Sequence, residues 1–203
     1  MNQFNSAWNF YFNNWQYFAV LAAPVFAVEI ATAYLLLPLE NISPENIAEY
    51  FGDNIFSIGI LSAVGTVLSV GFLGSLYLSF NAKSSSSELE PTTALLSGIY
   101  KFFPLFGAYV LCIIAVFFGL LLLILPGIYL GARLALFPAF IMLEGKGVID
   151  SLKLSWEETD EHGGTLFGLT IFFILLTTII SGIFSSLLDQ GIIQLLILSL
   201  IHI

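Results

Sequence analysis

Two ionisable residues lie deep inside long apolar runs, and they are the side chains best placed to do chemistry. Glu29 interrupts YFAVLAAPVFAVEIATAYLLL, and Arg133 interrupts LLLLILPGIYLGARLALFP. A charge within a membrane span normally faces protein or water and marks a functional position. Arg133 follows Gly127 by six residues, and Glu29 precedes Pro38 by nine. In helices these separations are ~9 Å and ~13 Å, so the two charges come to similar depths if both turns lie on one side. Three readings follow. The pair bonds directly or through water. Or Arg133 reaches outward along its aliphatic stem while Glu29 stays protonated. Or both line a substrate or proton pathway.

Other reactive groups are sparse. His162 and His202 stand outside HExxH spacing, and Cys112 has no second thiol. The sequence therefore specifies neither a zinc site nor an intrachain disulfide. Glu157–His162 reads EETDEH, without the glycine-centred order of a calcium loop, and is expected to be a solvated acidic turn. The nucleophile-elbow, P-loop and dinucleotide motifs are absent. No catalytic residue, metal or cofactor is expected.

The elements that must position Glu29 and Arg133 follow from composition. Of 203 residues, 58% are hydrophobic and 9% charged, with a mean hydropathy of +0.97. Soluble domains carry about 25% charged residues, so lipid must be the solvent for most of this chain. The short alternating segments of a barrel do not occur. A net charge of −9 argues against nucleic acid and against attraction to anionic headgroups. The expected fold is all-α, a polytopic integral membrane helical bundle of about six spans forming one domain over 1–203.

The spans are read as Gln16–Leu37, Ile55–Phe80, Leu105–Leu125, Ile128–Leu143, Thr165–Leu188 and a last run, IIQLLILSLIHI. That run gives only ~18 Å of helix. It either enters partway or belongs to a longer span. Before the first span, Phe4, Trp8, Tyr11, Trp15 and Phe18 share a helical face. Such a face suits a helix lying at the membrane–water boundary or one packed on the protein itself. Ala31-Thr32-Ala33 resembles a cleavage site, but no Lys or Arg precedes it, so no signal peptide is expected. ALLSGIYKFFP reads as a short amphipathic lead-in to the third span. Val148, Ile149, Leu152 and Trp156 share the apolar face of a second surface-lying helix.

Pro126-Gly127 falls inside an apolar stretch, Leu105–Leu143, that as one helix would reach ~58 Å, nearly twice the hydrocarbon thickness. A reversal at Pro126-Gly127 is therefore expected. Gly127, Gly131, Ala135 and Ala139 recur every four residues, the spacing that brings membrane helices close. Arg133 lies roughly opposite them.

Lys83, Lys101, Lys146 and Lys153 fall in connections on one side, while Glu40–Asp53 contains no Lys or Arg. The positive-inside rule then places the N-terminus in the cytoplasm.

The segment LILPGIYLGARLALFPAFIMLEGKGVIDSLKLSWEETDEHGGTLFGL resembles the YciC-like family of bacterial inner-membrane proteins. That family is related to the membrane domain beside some glycerophosphodiester phosphodiesterases. Pro126-Gly127-Ile128, Pro138, Glu144, Ser151, Leu152 and Ser155 carry the likeness, and AWNFYFNNW fits an aromatic lead-in. The resemblance implies an all-helical, multi-pass inner-membrane protein. The phosphodiesterase domain is not present, so its chemistry is not implied. The expected function is non-enzymatic, acting through the lipid bilayer, a membrane-protein partner or a homo-oligomer, in assembly, regulation or envelope homeostasis. The alternative is a transporter or channel component for a small solute or lipid, with Glu29 and Arg133 as its polar site. A membrane enzyme is a third reading.

Overall fold

In lipid, backbone amides find no water and must bond within their own segment, which favours helices. The computed structural model describes residues 2–85 and 87–187, and among these it is all-α, a polytopic bundle. Its helices are α1 (Asn2–Asn13), α2 (Trp15–Leu36), α3 (Ile47–Ser84), α4 (Pro91–Tyr100), α5 (Phe102–Leu122), α6 (Ile124–Leu134), α7 (Phe137–Leu143), α8 (Val148–Glu158) and α9 (Gly163–Leu187). Among the described residues, five stretches are long and apolar enough to cross a membrane: Trp15–Leu39, Pro44–Ser84, Phe102–Leu122, Ile124–Leu143 and Gly163–Ile183. The expected sixth run, IIQLLILSLIHI, lies outside the described residues.

α3 is the spine. Its 38 residues extend ~57 Å, so it begins eight residues before the expected Ile55. The cause is the Ser43-Pro44-Glu45 start. Ser43 is extended at φ −62° and ψ 145°, and Pro44 opens a 3-10 turn that runs directly into the helix. On one side of α3, Phe18, Leu21, Ala22 and Val25 of α2 pack with Phe72 and with Ala94 and Leu95 of α4. On another side, Val70 packs with Leu105 and Ala108 of α5 and with Phe137 and Ile141 of α7. The α3–α4 crossing is a backbone contact. A Cβ on Gly98 would lie 1.9 Å from the Gly71 carbonyl oxygen.

α1 breaks from α2 at Asn14, whose amide side chain donates to the Phe10 carbonyl at 2.9 Å. The break divides the aromatic face. Trp8, Tyr11 and Trp15 are about half exposed, whereas Phe18 turns into the core.

The hairpin between α5 and α6 turns at Leu123, extended at φ −162° and ψ 148°, three residues before the expected Pro126-Gly127. Pro126 instead occupies the first turn of α6, where an amide would have no helical partner. Gly127 serves close approach, since a Cβ there would meet the Leu120 amide nitrogen at 2.6 Å. The next turn brings Gly131 beside Val116 of α5, while Ala135 is exposed. The fourth span, read from the sequence as one helix, is broken between α6 and α7. Pro138 is the second residue of α7; it cannot donate to Leu134 and would clash with that carbonyl in a continuous helix.

Gly98→Val should destabilise the protein by about 3 kcal/mol through overpacking against α3. Gly52 has nothing within 4 Å of its hypothetical Cβ, so Gly52→Ala should be neutral or slightly stabilising. Thermal unfolding of both variants in one detergent checks the contrast.

Candidate functional site

The break in the fourth span exposes backbone groups, and α8 covers them. The Ser155 hydroxyl donates to the Arg133 carbonyl at 2.8 Å and accepts from the Leu136 amide at 3.1 Å. From α3, the Tyr77 hydroxyl donates to the Ala135 carbonyl at 3.0 Å. Ser151, Ser155 and Thr159, spaced one turn apart, are all fully or almost fully buried. This hydroxyl row is the inward face of α8, flanked by Val148 and Leu152 against α5 and α7. Ile149 of the expected apolar face points outward.

The Arg133 side chain is drawn to the same place and is only 2% exposed. Its Nε donates to Thr159 Oγ1 at 2.8 Å, and Nη1 to the Tyr129 hydroxyl at 2.7 Å. Nη2 donates to the Trp156 carbonyl and to Asp160 Oδ1, the latter at 2.9 Å. The guanidinium also lies 4.1 Å from the centre of the Trp156 ring, a cation–π contact. Arg133 is in the last turn of α6, and the Trp156 carbonyl is in the last turn of α8. The cation therefore meets the negative end of the α8 dipole and caps a carbonyl there that has no amide partner within the helix. α9 begins against this assembly: a Cβ on Gly163 would lie 2.8 Å from the Tyr129 hydroxyl.

The ion pair is the exposed edge of this cluster. The Asp160 side chain is 78% exposed, so water screens its attraction, and surface pairs contribute little. The buried Thr159 hydroxyl and the Trp156 carbonyl hold the guanidinium more firmly, because no water replaces them.

Glu29 lies elsewhere. It is half-buried in a 440 Å³ groove between α2 and α3, with Val28, Thr32, Leu61, Ser62, Gly65, Thr66, Ser69 and Val70. None of these residues belongs to α6 or α8. Of the three readings, the direct Glu29–Arg133 pair is not the one the structure forms; Arg133 pairs with Asp160 instead. Equal distance from a turn does not bring two side chains together when they project from different helices toward different neighbours.

Sequence reading missed Tyr129, Ser155, Trp156, Thr159 and Asp160 as the arginine's partners. The available signal was Ser151, Ser155 and Thr159 at four-residue spacing, set just after a proline-broken span.

A family model described as a domain of unknown function (DUF7847) matches residues 46–195, which take in α3 through α9. A UPF0259 membrane protein of Photorhabdus laumondii is 35% identical over 96 residues, covering 47% of this chain and 36% of that protein. The match therefore spans little more than a third of the relative's length. No solved structure matches.

Ser155→Ala removes the described partner of the Leu136 amide and should cost about 1–3 kcal/mol, the penalty for an unsatisfied buried donor. Thr159→Val should lower the melting temperature more than Asp160→Asn does. Unfolding in detergent, followed by circular dichroism, tests both statements.

Proposed function

The chain belongs to the DUF7847 family, and from that membership we propose a non-enzymatic protein of the bacterial inner membrane that acts by holding envelope lipids or a membrane partner. The observation that carries this reading is the enclosure of Arg133. Its three nitrogens are bonded within the protein, which supports a structural tie rather than a group presented to substrate. A groove lined by Glu29, Thr32 and Ser62, among others, lies between α2 and α3, away from that cluster. Elsewhere on the bundle, α5 and α9 expose Phe117, Phe118, Phe172 and Phe173, faces suited to lipid tails or another helix.

Native mass spectrometry from mild detergent tests the proposal. A retained lipid or a stoichiometric partner is expected, and reconstituted vesicles should show no solute flux. The Glu29 groove is also what favours the second reading, a transport component. Flux abolished by Glu29→Gln would establish that reading and overturn the first.

The proposed orientation places the N-terminus in the cytoplasm. In a Cys112→Ser background, Ser43→Cys should react with an impermeant maleimide on intact inner-membrane spheroplasts. Lys146→Cys should react only after permeabilisation. The reverse pattern would invert the topology.

A further inference from the structure

We propose that the α5–α6 hairpin occupies a single leaflet: its tip, Leu120–Leu125, ends among acyl chains inside the bilayer and does not reach the water beyond. Lengths along the helices set this limit. Glu157, Glu158, Asp160 and Glu161 crowd the end of α8, and all are exposed. Four carboxylates so close together require water, so the end of α8 marks an aqueous boundary. The Arg133 carbonyl touches that end directly, 2.8 Å from Ser155 Oγ and 3.1 Å from Thr159 Oγ1. From Arg133 back to Leu123 the chain covers ten residues of α6, ~15 Å. The hydrocarbon of a bilayer is ~30 Å thick, and any tilt of α6 only shortens its reach.

α5 does not carry the tip farther. Its first half packs on the elements of the same boundary. The Tyr109 ring is 4.9 Å from Phe137, and a Cβ on Gly107 would lie 3.4 Å from Val148. Its second half pairs with α6. There a Cβ on Gly119 would meet the Gly127 Cα at 2.8 Å, and one on Gly131 would meet Val116 at 3.5 Å.

Two neighbouring helices serve as rulers. α9 starts at the level of Arg133, with the Phe167 ring 6.0 Å from that of Tyr129. Ten residues on from Gly163, Phe173 draws level with Leu123, yet the apolar stretch of α9 continues to Ile183. Leu175 and Ile179, beyond that level, are exposed. α3 is fixed to the same boundary by Tyr77, which donates to the Ala135 carbonyl. From Tyr77 toward the α2–α3 turn, the first acidic residue is Asp53, 24 residues away, or ~36 Å. The tip covers no more than half of either distance.

Composition agrees. Residues 113–128 carry no polar side chain, whereas the α2–α3 connection holds Glu40, Asn41, Ser43 and Glu45. Leu121, Leu122, Leu123 and Ile124 are 66–79% exposed, a surface that water opposes and acyl chains solvate. A turn within lipid must leave few backbone groups without partners. Here Leu123 is the one non-helical residue, and its amide donates to the Gly119 carbonyl at 3.0 Å. The Gly127 amide returns to the Leu123 carbonyl at 3.4 Å, and Pro126 brings no amide. Lipid of the opposite leaflet then passes over the tip beside α9.

This inference goes beyond the proposed function and holds whichever face of the membrane α8 occupies. The full chain with Cys112→Ser is placed in phosphatidylethanolamine–phosphatidylglycerol nanodiscs, which admit reagents from both faces. A single nitroxide is attached at Leu122→Cys, Phe173→Cys or Ser43→Cys. Power-saturation electron paramagnetic resonance reads collisions with molecular oxygen, which enters lipid, and with a nickel chelate, which stays in water. At Leu122, oxygen collisions are expected, and the chelate collisions seen at Ser43 should be lost. The depths at Leu122 and Phe173 should agree within one helical turn, ~5 Å. Ile124→Cys, on the other arm of the turn, repeats the measurement if Leu122→Cys folds poorly. Chelate collisions at the tip equal to those at Ser43 would place it in water and overturn the proposal. Few collisions with either probe, the mark of a tip covered by protein, would overturn it as well.

Discussion

A cation inside an apolar bundle must be surrounded by oxygen, and Arg133 finds it in the Tyr129 and Thr159 hydroxyls, the Asp160 carboxylate and the Trp156 carbonyl at the end of α8. α6 ends at the residue beyond it, and α8 ends beside its guanidinium. The carbonyls at both ends lack amide partners and carry partial negative charge. The arginine and the interrupted span therefore solve each other's problem. Pro138 breaks the fourth helix, the break frees backbone groups, and the helix that covers those groups also encloses the charge. Removing any one of these elements leaves another with buried polar atoms unpaired, a costly state in low dielectric.

The two sides of α3 do different work. Beside α5, α6, α7 and α8, polar atoms are saturated by one another, through Ser155, Thr159 and Tyr77. Beside α2, a carboxylate and several hydroxyl oxygens line an open groove. α4 is fixed against both α2 and α3 by Ala94, Leu95 and the Gly71–Gly98 contact, and its neighbour Val25 lies one turn before Val28 of the groove. The hydrogen-bonded side ties α6, α7 and α8 to the spine; the α2 side carries Glu29 and the hydroxyls of Thr32, Ser62, Thr66 and Ser69.

The membrane class and most of the helices were legible in the sequence, because apolar runs long enough to cross lipid have few other uses. The early start of α3 was not legible from hydropathy, because Pro44 opens it eight or more residues ahead of the apolar run. The reversal was misplaced because a Pro-Gly pair suits either a turn or a first helical turn; only the packing of Gly127 on Leu120 decides. Arg133 and Glu29 stood out singly as buried charges. Their partners did not, because depth along a helix is a one-dimensional quantity and pairing depends on azimuth and on neighbours. The row Ser151, Ser155, Thr159 was hidden by the stronger apolar pattern of Val148, Leu152 and Trp156, although both rows turn out to face inward over part of their length.

The enclosure of Arg133, the sole arginine of the chain, can be measured directly. An arginine-selective dicarbonyl reagent, read by intact mass, measures that enclosure without a mutation. The folded protein in micelles should stay unmodified and gain one adduct after denaturation. A stoichiometric adduct on the folded protein would show the guanidinium open to its surroundings and would contradict the structural role given to it here.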